Sequence, residues 1–342
     1  MKPYRYVLVG CGGISGAWLK PLAEMPEAVC AGLVDINRDA AERRKQEFGL
    51  TDAVTGTHLA SMLRKVKPAL VFDCTVPEAH IKVARTAFAA GCHVLGEKPL
   101  ADTMAHAATM LKAAAAADRV HAIIQNRRFD PHARRVQSLL HDGVIGRLHT
   151  VYSDFFIGAH FGGFRDRMLH VLLLDMAIHT FDAARLLTGC DPVAVLAHEW
   201  NPPGSWYDHH ASASAQFEMT NSVVYGYRGS WCSEGLNTTW ESAWRFIGDQ
   251  GSMSWDGRDG VRIQQVSGTE GFIRPLADIE PPPVPAMTWQ GHGGVIHDFL
   301  ESLGSGKQPE TVSTDNVKSL AMVHAAIKSA GSGRRVVIPP LA

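Results

Sequence analysis

The sequence predicts an α/β protein with an N-terminal, Rossmann-type doubly wound parallel sheet and a C-terminal α/β domain built on a large, mainly antiparallel open sheet. Three observations lead to this prediction. The chain has 342 residues, short apolar runs alternate with helical runs up to about residue 125, and the pattern changes after that point. A chain of this length can form two domains that each bury a core. We therefore divide it into residues 1–125 and residues 126–342.

The first part alternates near-continuous apolar strands with amphipathic helices, a pattern typical of a parallel sheet covered on both faces. The predicted strands cover residues 6–9, 29–34, 70–74, 93–96 and 120–124. The predicted helices between them cover residues 14–24, 38–48, 78–90 and 103–117.

The second part begins with a predicted helix over 131–141 and a strand over 148–157. A helix over about 171–187 follows and ends before Gly189. Several strands separated by turn residues lie between 193 and 263, as expected for an antiparallel sheet. Two late helices are predicted near 293–303 and 315–330.

The composition excludes several classes of protein. Hydrophobic residues make up 46% of the chain, charged residues 20%, and the formal net charge is −1. We find no basic cluster for nucleic acid and no apolar stretch of about 20 residues for a membrane span. The N-terminus has no signal-peptide pattern, and the six cysteines contain no C-x-x-C pair. We expect a reduced, cytoplasmic protein with neither a nucleic-acid nor a membrane partner.

A glycine-rich turn joins the first predicted strand to the first helix. Its pattern is Gly10-x-Gly12-x-x-Ser15, and Gly13 and Ile14 complete the turn. Gly10 permits a tight turn, and Gly12 lets the backbone approach a pyrophosphate at the N-terminus of the next helix. These positions predict a dinucleotide-binding site in residues 1–125.

An acidic residue, Asp35, ends the second predicted strand. An acid at this point accepts hydrogen bonds from ribose hydroxyls and repels a 2′-phosphate, which favours NAD(H) over NADP(H). Arg38 lies three residues further on and offsets part of that repulsion, so NADP(H) remains possible.

Further polar residues follow the next strands, at the edge where doubly wound sheets bind ligands. Thr75, Pro77 and His80 follow one strand, and His80 either contacts the cofactor or caps and packs a helix. Glu97 and Lys98 follow the next, where Lys98 either reaches ribose and substrate or is a surface lysine paired with Glu97. We assign all five residues to cofactor binding.

In this order and spacing, several motifs together resemble the Gfo/Idh/MocA family of oxidoreductases, over essentially the whole chain. The motifs are Gly10-x-Gly12-x-x-Ser15, Cys74-Thr75-Val76-Pro77-x-x-His80, Glu97-Lys98-Pro99, Arg127-Arg128-Phe129-x-Pro131 and Asp175-x-x-x-His179-x-x-Asp182. The resemblance implies an NAD(P)-binding domain in residues 1–125 and a substrate-binding and oligomerisation domain in residues 126–342.

The family pattern also implies a catalytic trio of Lys98, Asp175 and His179. His179 would act as general base toward a substrate hydroxyl, and Asp175 would orient and charge-balance it. Lys98 would stabilise the developing alkoxide or share the proton. In a regular α-helix, Asp175 and His179 lie one turn apart on one face.

On the substrate side, we take Asn126, His160, Arg165 and His179 as candidate binding residues. The chain departs from many relatives, which carry a glycine triplet where Leu169-His170-Val171 stands here. Arg165 and Arg167 precede this departure, and either of them pairs with an anionic substrate group or forms an ordinary salt bridge.

The 17 histidines raise the question of a metal site, but there is no H-E-x-x-H motif and no paired Cys/His spacing, so we expect none. The main expectation is an NAD(H)-dependent dehydrogenase or reductase acting on a sugar or polyol hydroxyl. Two alternatives stay open: glycoside cleavage or elimination by transient oxidation, and a non-catalytic dinucleotide or sugar sensor. We also expect a homodimer or homotetramer, because an open apolar sheet face needs cover.

Overall fold

The computed structural model describes residues 3–341, which divide into two units. The first unit contains the residues up to Phe129 together with Thr288–Leu320, and the second contains Asp130–Met287 and the chain from Ala321 onwards. The chain therefore returns to the first unit late in the sequence. That residues 1–125 form a domain by themselves stays a prediction.

The first unit contains a six-stranded parallel sheet. Its strands are β1 (Tyr4–Val9), β2 (Ala28–Val34), β3 (Val54–Gly56), β4 (Leu70–Asp73), β5 (His93–Gly96) and β6 (His121–Ile123). They lie in the order β3-β2-β1-β4-β5-β6, so the direction of winding reverses between β1 and β4. This topology confirms the predicted doubly wound sheet, which binds ligands at the carboxyl ends of its strands.

Five helices connect these strands. They are α1 (Ser15–Leu22), α2 (Arg38–Glu47), α3 (Leu59–Val66), α4 (Pro77–Ala89) and α5 (Met104–Ala117). The sequence analysis did not predict β3 and α3. The three residues of β3 are too few to show a periodic pattern.

The second unit contains a nine-stranded sheet in the order β14-β13-β12-β11-β7-β10-β9-β8-β15. The strands are β7 (Leu148–Phe156), β8 (Pro192–Trp200), β9 (Ser212–Met219), β10 (Val224–Ser230), β11 (Ala243–Gly248), β12 (Gly251–Trp255), β13 (Val261–Val266), β14 (Leu276–Ile279) and β15 (Val336–Val337). Only the pair β7–β10 is parallel among the described pairs, so the prediction of a mainly antiparallel sheet is confirmed.

Four α-helices follow β6 along the chain: α6 (Pro131–His141), α7 (Ile178–Thr188), α8 (Gly291–Ser305) and α9 (Ser313–Ser332). Helix α8 packs in the first unit, where Phe299 joins Phe72 and Trp18 in one apolar cluster. Within the described range 3–341, no helix is both long and apolar enough to cross a membrane.

The segment before α7 differs from the prediction of a regular α-helix. Residues Leu172–Ala177 form a π-helix that continues into α7, and His170 just before it has a positive φ of 53°. A π-helix has more residues per turn than an α-helix, so the expected 3.6-residue spacing is wrong over 172–177. π-Turns within helices are frequent at functional sites.

Candidate functional site

The glycine-rich turn between β1 and α1 has the shape that a pyrophosphate requires. Gly10 has a φ of 88°, and a Cβ atom there would lie 2.6 Å from the carbonyl of Cys74 at the end of β4. A Cβ atom on Gly12 or Gly13 would meet no atom within 4 Å. The turn is therefore tightly packed at its base and open at its tip, which fits a bound dinucleotide.

Asp35 is fixed directly beside this turn. Its Oδ2 accepts a hydrogen bond from the backbone N–H of Cys11 at 2.7 Å, and its Oδ1 accepts one from Asn37 at 2.8 Å. Burial and the nearby carboxylate of Asp35 raise the pKa of the Cys11 thiol to about 12, so this cysteine stays protonated. The predicted Arg38 is largely exposed and lies near Glu42.

Arg44 on α2, which the sequence analysis did not single out, contacts the glycine-rich turn. Its Nε donates to Ser15 Oγ at 3.0 Å, and its Nη2 donates to the Gly12 carbonyl oxygen at 2.9 Å. Helix α2 carries a run of charged residues, and nothing in the sequence distinguishes Arg44 from its neighbours. Only the packing of α2 beside the turn shows that Arg44 binds the turn through these two hydrogen bonds.

The loop after β4 holds Thr75, Pro77 and His80. Pro77 is the first residue of α4, a position that suits its fixed φ and missing N–H. His80 is buried, with Nδ1 3.0 Å from the Pro99 carbonyl oxygen and Nε2 3.1 Å from that of Thr75. The ring of His80 therefore joins two loops inside the unit.

The loop after β5 begins with Glu97, which is also buried. Its carboxylate accepts hydrogen bonds from Trp18 Nε1 at 2.8 Å and from the backbone N–H of Lys98 at 3.1 Å, and His292 Nε2 lies 3.6 Å away. Burial opposes ionisation, but hydrogen bonds from His292 and Trp18 outweigh it and hold the pKa of Glu97 below its usual range. Lys98 follows as a half-buried residue.

In the second unit, Asp175 and His179 lie on the only accessible strip of an otherwise buried helical run. From residue 171 to 187, every residue is buried except Leu174, Asp175 and His179. The two predicted catalytic side chains therefore share access to solvent, although Asp175 lies in the π-helix and His179 in α7.

Asp175 forms a salt bridge with Arg165. The Nε of Arg165 donates to Asp175 Oδ2 at 2.8 Å, and its guanidinium lies 4.9 Å from the ring centroids of both Phe161 and Phe164. Of the two roles open to Arg165, the structure shows the salt bridge, made with Asp175, the residue predicted to orient His179.

Two histidines of the nearby sequence are also paired. His170 Nδ1 lies 2.7 Å from Oε2 of the buried Glu199, and this hydrogen bond raises the pKa of His170 above its usual value. The predicted substrate residue His160 stacks on Trp206 at 3.7 Å and lies 3.0 Å from Glu234. Glu199, Glu234 and Trp206 are distant in sequence from their partners, and no motif connects them.

The remaining predicted residues lie in one unit or the other. Ile14 ends the open turn, and the half-buried Asn126 begins the 3₁₀-helix Asn126–Phe129 after β6. Lys98 and Asn126 belong to the first unit, whereas Asp175, His179, His160 and Arg165 belong to the second. Joint action of Lys98 with Asp175 and His179 stays a prediction. Across residues 3–341, no group of three or more His, Cys, Asp or Glu side chains is arranged to hold a metal ion.

The sheet order, the open glycine turn and Asp35 together define the class of dinucleotide-binding Rossmann proteins. A profile described as "Oxidoreductase family, NAD-binding Rossmann fold" matches residues 4–124, and one described as "GFO/IDH/MocA C-terminal domain" matches residues 133–254. The chain belongs to the Gfo/Idh/MocA family of NAD-binding oxidoreductases, as the motifs indicated.

Named relatives align over nearly the full chain. D-apiose dehydrogenase from Paraburkholderia graminis is 26% identical over 100% of this chain and 91% of its own. Inositol 2-dehydrogenase from Rhizobium meliloti is 23% identical over 98% of this chain and 99% of its own. An oxidoreductase from Agrobacterium radiobacter, solved with NAD⁺, L-tartaric acid and magnesium, shares the fold with a TM-score of 0.86 at 20% identity, over 98% of this chain and 99% of that chain.

Proposed function

We propose that this protein is an NAD(H)-dependent oxidoreductase that transfers a hydride between nicotinamide and a secondary hydroxyl of a sugar, polyol or sugar derivative. The observation that carries the proposal is the accessible Asp175–His179 strip on an otherwise buried helix, in a chain whose other unit has an open dinucleotide turn. The names of the apiose and inositol dehydrogenases among its relatives support this substrate class.

The first unit supplies the cofactor site in this proposal. The backbone at Gly12 and Gly13 faces the pyrophosphate, while Asp35 accepts hydrogen bonds from the adenosine ribose. Because the carboxylate repels a 2′-phosphate, NAD(H) is favoured and NADP(H) remains a weaker ligand. When bound, the nicotinamide supplies the acceptor for the hydride.

The second unit supplies the proton chemistry. His179 takes the proton of the substrate hydroxyl as general base, and Asp175 orients and charge-balances the imidazole. Arg165 holds Asp175 in place through the 2.8 Å salt bridge. We assign to Lys98 the stabilisation of the developing alkoxide.

The test is to incubate the purified protein with NAD⁺ and a panel of sugars, inositols, sugar acids and glycosides, while recording NADH formation and product masses together. NADH that appears with one class of compound supports the proposal and names that class. Cleaved or dehydrated products that form without NADH would favour the alternative mechanism, in which the substrate is oxidised transiently and the hydride is returned to it. A non-catalytic sensor would be favoured if neither NADH nor a product appeared and if the Lys98→Ala variant kept its biological activity.

The outer face of the nine-stranded sheet points to a homodimer or homotetramer. Tyr152 on β7 and Leu196 on β8 are 47% and 52% exposed, and apolar surface of this kind is typical of subunit interfaces. We expect Leu196→Glu to dissociate the oligomer in light scattering, whereas Leu236→Glu, at a fully exposed loop position, leaves it intact. A wild-type monomer at micromolar concentration would contradict this assembly.

We place the reaction in the cytoplasm, since all six cysteines are free thiols.

A further inference from the structure

Two buried histidines in the first unit have opposite surroundings. His80 on α4 and His121 on β6 are each 2% exposed. His80 has a carbonyl oxygen within hydrogen-bond distance of both ring nitrogens, at 3.0 Å and 3.1 Å. Nδ1 of His121, by contrast, is buried without a hydrogen-bond partner among the described residues.

The two partners of His80 are main-chain carbonyl oxygens, those of Pro99 and Thr75, and a carbonyl oxygen only accepts. A neutral imidazole carries one N–H, so one of the two contacts would set a nitrogen lone pair against an oxygen lone pair. An imidazolium donates from both nitrogens and satisfies both contacts. We propose that His80 is a buried, doubly protonated imidazolium that joins the loops after β4 and β5.

A buried cation is costly unless it is paired. Asp73, the last residue of β4, is 2% exposed and supplies the opposite charge. Its Oδ1 accepts hydrogen bonds from the backbone N–H and Oγ1 of Thr75, whose carbonyl oxygen accepts from His80. Burial raises the pKa of Asp73, and the charge of His80 and the bonds from Thr75 oppose that rise. Asp73, Thr75 and His80 therefore form one continuous network.

The other titratable groups around this network are Glu97, Lys98, His121 and the buried thiol of Cys74. Burial and the charges of Glu97 and Asp73 raise the pKa of this thiol. Glu97 is negative and interacts electrostatically with both Asp73 and Lys98. Burial and the positive charge of His80 lower the pKa of His121 to about 3, so that ring is neutral. The negative group that interacts directly with His80 is Asp73, and Glu97 lies one step further along the network.

The consequence is a positioning role for His80, which rests on the proposed function through Thr75 and Lys98. Both loops leave neighbouring strands at the carboxyl edge of the sheet. One imidazolium bonded to both fixes the Thr75 carbonyl relative to the residue that follows Lys98. His80 then affects cofactor binding by holding the two loops in position, without contacting the cofactor.

Long-range ¹H–¹⁵N correlation spectra of the full-length, ¹⁵N-histidine-labelled protein test the protonation state at mildly alkaline pH. We expect two protonated-type nitrogens for His80 and one protonated, one unprotonated nitrogen for His121. Spectra of His80→Gln and His121→Gln assign the signals. An unprotonated nitrogen on His80 would overturn the proposal. If His80→Gln does not fold, neutron diffraction from deuterated wild-type crystals shows the two deuterons directly.

NADH titration tests the positioning role. Loss of charge-assisted bonds in His80→Gln should weaken NADH binding about tenfold, while His121→Gln stays within about twofold of wild type. Unchanged affinity in a folded His80→Gln protein would overturn this role. If the wild type itself bound no NADH, the proposed function would fail, and the spectra would still decide the protonation state.

Discussion

The two units hold their functional side chains in different ways. In the first unit, Asp35 is bound by the main-chain N–H groups of Cys11 and Asn37, and His80 by two main-chain carbonyl oxygens. In the second unit, Asp175 is bound by the charged side chain of Arg165. Asp35 and His80 are thus positioned by backbone groups, whereas Asp175 is positioned by a charge pair.

This contrast has a consequence for pH and mutation. Main-chain partners, such as those of Asp35 and His80, neither titrate nor disappear on substitution. A side-chain partner, in contrast, can change its protonation state with pH and is lost when its residue is substituted.

His179→Ala should produce the largest change. Removal of a positioned general base should lower kcat by roughly 10²–10⁴. NADH affinity should stay near that of wild type, since the cofactor is assigned to the other unit. Steady-state kinetics and NADH fluorescence titration measure the two quantities, with His149→Ala, an exposed histidine on β7, as control. Equal losses in kcat and NADH affinity would contradict separate roles for the units.

Arg165→Met should have the next largest effect, because Asp175 loses its cationic partner. A hydrogen bond to a charged group contributes about 1.5–3 kcal/mol, which corresponds to roughly ten- to hundredfold in kcat/KM. Arg167→Met is the matched control, since Arg167 is exposed in the same 3₁₀ turn. If both variants lose activity alike, the salt bridge is not the cause.

Asp35→Ala tests the first unit. The variant removes the acceptor for two backbone N–H groups and for the ribose, so we expect NAD(H) binding to weaken about tenfold. The advantage of NAD(H) over NADP(H) should narrow as the negative charge disappears. Asp52→Ala, an exposed acid of the same unit, should leave both affinities unchanged. An unaltered cofactor preference in Asp35→Ala would remove Asp35 from the site.

The smallest effect is expected from the His170–Glu199 pair, on stability alone. Glu199 raises the folded-state pKa of His170, so the stabilisation is complete below the unfolded value of about 6.5 and disappears as the pH rises through the folded value. The difference in Tm between wild type and Glu199→Gln should therefore be larger at about pH 6 than at about pH 9.

The exposed ion pair of Glu218 with Arg335 provides the comparison, because an arginine does not titrate in this range. Glu218→Gln should change Tm by a similar amount at both pH values. A Glu199→Gln effect that is equally independent of pH would show that His170 does not change its charge there.

The same contrast explains what could be predicted from the sequence. The glycine turn and Asp35 follow from local chain geometry, so they form a motif of short spacing that is visible in the sequence. Five of the six strands of the parallel sheet were equally visible, since they are continuous apolar runs, and only the three-residue strand β3 was not. Pairings such as Glu97 with His292, or His170 with Glu199, depend on how distant segments pack, and no local pattern encodes them.

Two further features lay beyond the sequence for physical reasons. Arg44 reaches the turn only because α2 packs beside it, and its charge alone is typical of any exposed helix. The π-helix at 172–177 takes the place of the predicted α-helix in a run of apolar residues, and the pattern of that run is compatible with either kind of helix. Both features shape the candidate site.

The most direct test of the account is stopped-flow absorbance of the reduced nicotinamide, with enzyme, NAD⁺ and a compound that the enzyme converts. We predict that the enzyme-bound nicotinamide of the wild type becomes reduced. The reduced form persists if the reaction is a net oxidation and is transient if the hydride is returned to the substrate. His179→Ala should slow this phase by about the factor expected for a lost general base. Conversion of the compound with no reduction of nicotinamide at any time would contradict hydride transfer as the function of this protein.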